Sequence, residues 1–159
     1  MDIRQQIEGV KQDLLSEGLM KEKLNELEGL AAEEAIEQAL QDLQEKDIAT
    51  IEALEQSLVM QPKSLEEAEK NIQLIFDTAY GEQSETMRQQ MLYTYLSNVL
   101  ANIRNSKDLL ARYQAGDPTA IAVIESNKNN PEVEELLQYM EDADRTSEDT
   151  PPTEEKDKE

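Results

Sequence analysis

The chain has 159 residues, 38% of them hydrophobic and only 4% aromatic, so a modest core must be built from Leu, Ile, Val, Ala and Met, which suits helices packed on helices. It holds no cysteine and no histidine, which removes disulfides, thiolate nucleophiles, Ser-His-Asp and Cys-His catalysis, and the zinc or haem sites that need those ligands. A formal net charge of −21, from 36 acidic against 15 basic residues, favours solubility and repels nucleic acid and anionic lipid at long range.

The first helix is expected to start at Asp2, an N-cap candidate, and to run to about Ser16, with Ile3, Ile7, Val10 and Leu14 recurring every three or four residues. Gly18 followed by Leu19 predicts a Schellman stop, in which glycine turns left-handed and the next apolar residue packs back. Leu24, Leu27, Leu30, Ala31, Ile36, Leu40 and Leu43 carry a second helical stripe to about Glu45, with Gly29 as a candidate break. Asp47 is the next cap candidate, ahead of the apolar row Ile48, Ile51, Leu54 and Leu58.

Met60-Gln61-Pro62-Lys63-Ser64 is a breaker, because proline disfavours helix in the residue before it, and a boundary between two halves is expected there. Ser64-Leu65-Glu66-Glu67 matches a capping box, with serine and the glutamate three residues on satisfying each other's free backbone donors. The helix it opens should end near Gly81. Ser84 is then expected to cap a long helix of about 85–114, roughly 45 Å at 1.5 Å per residue, with Ser106 on its apolar stripe and a kink expected near Asn105. Gly116 closes it. Asp117-Pro118 and Asn130-Pro131 each place a cap before a proline at the first helical position, starting short helices anchored by Ile121 and Ile124, and by Val133, Leu136, Leu137 and Met140.

These elements predict an all-α fold of small helical bundles with one long central helix: an acidic helical half over 1–60, a bundle over 64–141, and a disordered acidic tail over 142–159. Residues 1–60 carry 5 basic and 15 acidic groups and residues 131–159 carry 3 and 12, whereas residues 101–130 carry 4 and 3. The acidity therefore gathers at the two ends. The N-terminal Met-Asp-Ile-Arg-Gln-Gln-Ile-Glu has no apolar stretch of signal-peptide length and no window approaches a membrane span, so a cytoplasmic location without membrane contact is expected.

No short catalytic signature survives inspection. The five glycines stand singly at 9, 18, 29, 81 and 116, which leaves no phosphate loop, and no serine has lysine three residues later. Glu33, Glu34 and Glu37, and likewise Glu66, Glu67 and Glu69, could in principle form a carboxylate metal site, but a solvated helix face is the plainer account. Glu141-Asp142-Ala143-Asp144 lacks the glycine and the final glutamate of a calcium loop, positions occupied here by Thr146 and Pro152. Neither an enzyme nor a cofactor is expected.

Two stretches point to binding instead. Arg104, Lys107 and Arg112, with Lys128 farther on and tyrosines at 93, 95 and 113, form a weak basic patch of the kind that grips phosphates, although cations near a helix C-terminus also stabilise its dipole. The long helix carries an apolar stripe that takes both members of Met91/Leu92, Tyr95/Leu96 and Val99/Leu100, and so must be covered by several neighbours or by another chain. Met87, Met91, Tyr95, Val99 and Ile103 are the candidate partner-binding residues. The leading expectation is a non-catalytic protein-interaction module, an adaptor, regulator or assembly factor, binding a protein partner or a second copy of itself. Its rivals are an acidic decoy that mimics nucleic acid toward a basic protein, a carboxylate-dependent metal enzyme and a weak RNA binder.

Overall fold

A computed structural model describes residues 1–131, 133–135 and 137–138. Their regular elements are α1 (Ile3–Ser16), α2 (Lys21–Leu43), α3 (Ile48–Ser57), α4 (Leu65–Tyr80), a 3-10 turn (Gly81–Gln83), α5 (Ser84–Gln114) and α6 (Pro118–Ser126), and no strand occurs among the described residues. The fold is all-α with one long helix, as the periodicity predicts. The described residues beyond Asn130 are helical too, while Leu136, Met140, the acidic run from Glu141 and the expected disordered tail of 142–159 lie outside the described residues.

Local chemistry sets most of the helix ends. At the end of α1 the Leu19 amide donates to the Leu14 carbonyl at 3.1 Å and the Gly18 amide to the Leu15 carbonyl at 3.0 Å, the two bonds of a Schellman stop. The same pair closes α5, from Asp117 to Arg112 at 2.9 Å and from Gly116 to Tyr113 at 3.1 Å. Asp47 accepts from the Thr50 amide at 2.8 Å and Asp117 from the Thr119 amide at 2.9 Å, so both aspartates cap as expected. Asp2 occupies the N-cap position of α1 without a side-chain cap bond. Gly29 lies inside α2 and does not break it.

Two expectations at the start of α4 and α5 need correction in detail. Ser64 accepts from the Glu67 amide at 3.2 Å, but the Glu67 carboxylate accepts from the Lys63 amide at 2.8 Å, one residue earlier than the reciprocal arm of a capping box. Ser84 does not cap α5. It is already helical, it is buried, and its hydroxyl donates at 2.6 Å to Asp77 near the end of α4. The chain turns sharply between them at Gly81, whose φ of +60° suits glycine. Arg88 of α5 then sits 5.0 Å from the Phe76 ring centre and donates to Gln73 at 3.2 Å, so the first turns of α5 lean back on the end of α4.

The chain divides into two compact units, one of residues 1–103 and one beginning at Arg104, with the division falling inside α5. In the first unit Ala35, Ala39 and Leu43 of α2 pack with Leu54 of α3 and with Phe76 and Ala79 of α4. The small Ala35, Ala39 and Ala79 side chains leave room in this core for Phe76, the one phenylalanine in the chain. A second core joins Ile7 and Leu14 of α1, Leu24 of α2, and Leu96 and Leu100 of α5. Both cores draw on residues from either side of the Met60–Ser64 break.

Polar ties reinforce these contacts. Lys11 of α1 pairs with Glu28 of α2, and that bond holds the Lys11 amine above its ordinary range. The Tyr80 hydroxyl of α4 donates to Asp42 of α2 at 2.5 Å. Asn71 clasps the backbone of Val59 with two 2.9 Å bonds, amide to carbonyl and carbonyl to amide, pinning the segment between α3 and α4. In the second unit Leu110 of α5 and Ala120 and Ile124 of α6 are buried.

Candidate functional site

The apolar stripe of α5 is where a binding surface is expected, and the structure splits it three ways. Leu96 and Leu100 are buried, with Leu92, Val99 and Ile103 packed against the same core beside α1 and α2. Met91 leans on the other core, around Phe76. Met87, Met91 and Tyr95, one helical turn apart along α5, also line an open groove against α2. Of the five candidate partner-binding residues the groove thus gathers three, two of which, Met91 and Tyr95, also lean on a core, while Val99 and Ile103 pack against the core without lining the groove.

The opposite wall of the groove is built from Ala31, Glu34, Ala35 and Gln38 of α2, and its volume is about 190 Å³. Ala31 and Ala35 are buried, so their small side chains form its floor. An adjoining depression of about 460 Å³ shares Glu34, Gln38 and Tyr95 and is lined besides by Leu30, Glu33, Glu37 and Gln41. No lysine or arginine lines either surface. Leu30 is exposed at its edge. On the other side of the same alanines a third cavity of about 310 Å³ opens toward Ile72, Phe76 and Arg88.

Sequence reasoning found the α5 wall of this groove and missed the α2 wall. The signal was present in Ala31, Ala35 and Ala39, which recur every fourth residue and so put small side chains on one face. Alanine in a helix is so often a plain helix former that the spacing does not stand out.

The basic patch is differently placed. Arg112 donates to Asp117 at 2.8 Å and lies 3.7 Å from Asp108, and these carboxylates raise the guanidinium pKa further. The same bond to Arg112, followed by the Thr119 amide, holds the Asp117 carboxyl below the ordinary range. Arg112 is therefore engaged in closing α5 onto the start of α6. Arg104 and Lys107 are exposed on α5, and Tyr113 is half-buried. Tyr93 and Tyr95 pack against the core around Leu96, in the first unit.

Among the described residues no group of three or more acidic side chains converges as a metal ion would require. Glu67 serves the start of α4, and Glu66 pairs with Lys70 at 3.6 Å across one turn. Among the same residues no helix is long and apolar enough to cross a membrane. No family model, no curated protein and no solved structure matches this chain, so the reading of its site rests on the geometry of its own residues.

Proposed function

We propose that the chain is a non-catalytic protein-interaction module, an adaptor, regulator or assembly factor of the cytosol, that recognises a protein partner through the first turns of α5. The observation that carries this reading is the open groove beside Met87, Met91 and Tyr95. Apolar side chains left half-covered on a rigid helix gain by burial against another chain, and methionine adapts its shape to what it meets. The net charge of −21 favours a basic partner over a second copy of the chain.

A second reading, that the chain is an acidic decoy of a nucleic-acid-binding protein, draws on one further feature. Residues 24–45 hold seven carboxylates and no lysine or arginine. Affinity capture from native lysate at low salt and again at about 1 M salt separates the two, because a Debye length of about 3 Å at the higher concentration screens exposed charges and leaves apolar contact in place. Retention of a partner at high salt is the expected result. Complete release would transfer the case to the decoy, and a monodisperse monomer in light scattering that captures nothing would sink the interaction reading.

A further inference from the structure

We infer that the groove between α2 and α5 docks an amphipathic helix that carries a basic flank, an inference that rests on the interaction reading above and names the partner's chemistry. The length of the groove is the first argument. Met87 and Tyr95 are eight residues apart, about 12 Å along α5, which matches the roughly 10.5 Å between the first and last of the i, i+3/i+4, i+7 anchors of a bound helix.

Charge decides which helix. The edge formed by Glu33, Glu34 and Glu37 runs beside the apolar floor, and no cation among the lining residues offsets it. A partner that lays apolar anchors on Met87 and Met91 therefore places its adjoining flank over three carboxylates, where Lys or Arg is favoured and Asp or Glu is repelled. A second copy of this chain would bring its own charge of −21, and its segment from 131 to 159, with 12 acidic and 3 basic groups, would be repelled likewise. Nucleic acid offers phosphates to the same edge and is repelled too.

The six methionines of the full chain make the test direct. The protein is labelled with 13C at its methionine methyls and titrated with a synthetic helix of about four turns carrying leucine on one face and arginine on the adjoining flank. Two controls are a peptide of the same composition with the leucines scattered around the helix, and one with glutamate in place of arginine. Expected are shifts of the Met87 and Met91 signals, with those of Met20 and Met60 unmoved, and weaker binding of both controls. The exposed-edge variant Glu33→Gln/Glu34→Gln/Glu37→Gln should bind about tenfold more weakly and with a shallower salt dependence, since each such charge contributes little alone. Met87→Lys should also lose binding, with its circular dichroism unchanged. Shifts that spare Met87 and Met91, or equal binding of the scattered-leucine peptide, would overturn the inference. A partner captured from lysate that still binds both variants would overturn the groove while leaving the broader interaction reading standing.

Discussion

Tyr80 and Asp42 show how a single side-chain bond couples this structure to pH. The phenol is partly buried and donates to a carboxylate 2.5 Å away, so ionising it would bring two negative charges together in a poorly solvated place. Desolvation first, and then the Asp42 carboxylate, push its pKa well above the ordinary 10.0 of tyrosine. The folded state thus holds this proton more tightly than the unfolded state. Its contribution is fully present below about pH 10 and is lost as pH rises toward the folded value. Tyr80→Phe is expected to cost about 1 kcal/mol at neutral pH and to flatten the alkaline loss, as read from urea midpoints between pH 7 and 11. A parallel decline of wild type and variant above pH 10 would place the alkaline sensitivity elsewhere. Asp47 runs the opposite way, because the Thr50 amide lowers its pKa, so its capping bond persists above the ordinary carboxylate range and weakens as pH falls below it.

At the scale of the helix, two glycines should answer substitution with opposite signs. Gly29 lies mid-way along α2, and a Cβ added there would meet nothing within 4 Å. Gly29→Ala should therefore stabilise by about 0.5–1 kcal/mol, largely by restricting the unfolded chain. Gly81 has equally open space around it but sits at φ +60° with ψ −131°, off the regions that an L side chain prefers. Gly81→Ala should destabilise by about 1 kcal/mol or more and loosen the bond from Ser84 to Asp77. Thermal melts followed by circular dichroism measure both. The contrast also marks what was legible locally. Ser64, Asp47, Gly18 and Gly116 act within a few residues of themselves, so their roles could be read along the chain. Ser84 could not be so read, because its partner lies seven residues back across a turn whose direction only the folded backbone reveals.

At the scale of the whole first unit, α2 and α5 hold two cores together. Leu24 of α2 and Leu96 of α5 belong to one, while Ala35, Ala39 and Leu43 of α2 and the neighbouring Met91 of α5 serve the other. Phe76 is 1% exposed and Leu14 is fully buried, each in a different core. Phe76→Ala is expected to cost about 3–5 kcal/mol and Leu14→Ala about 2–5 kcal/mol, large fractions of the roughly 5–15 kcal/mol that a domain usually has. Because the helices are shared, each substitution should lower the urea midpoint of the entire unit. Helicity and tyrosine fluorescence should then fall together, and separate transitions would show that the cores unfold independently.

The amino-acid sequence by itself determined the helical class, nearly all helix ends and the placing of charge toward the two ends of the chain. Those properties follow from backbone capping, side-chain periodicity and composition, all of which act over a few residues or none. Tertiary structure alone decided which apolar faces are covered. The periodicity of α5 puts Met87, Met91, Tyr95, Val99 and Ile103 together as candidates, but it cannot say that Met91, Tyr95, Val99 and Ile103 lean on a core while Met87, Met91 and Tyr95 border a groove. That outcome depends on which residues of α2 face the groove, among them Ala31 and Ala35, more than fifty residues earlier in the chain. The acidic edge beside the groove has the same origin, since Glu33, Glu34 and Glu37 share a surface with Tyr95 of α5 only after α2 has packed.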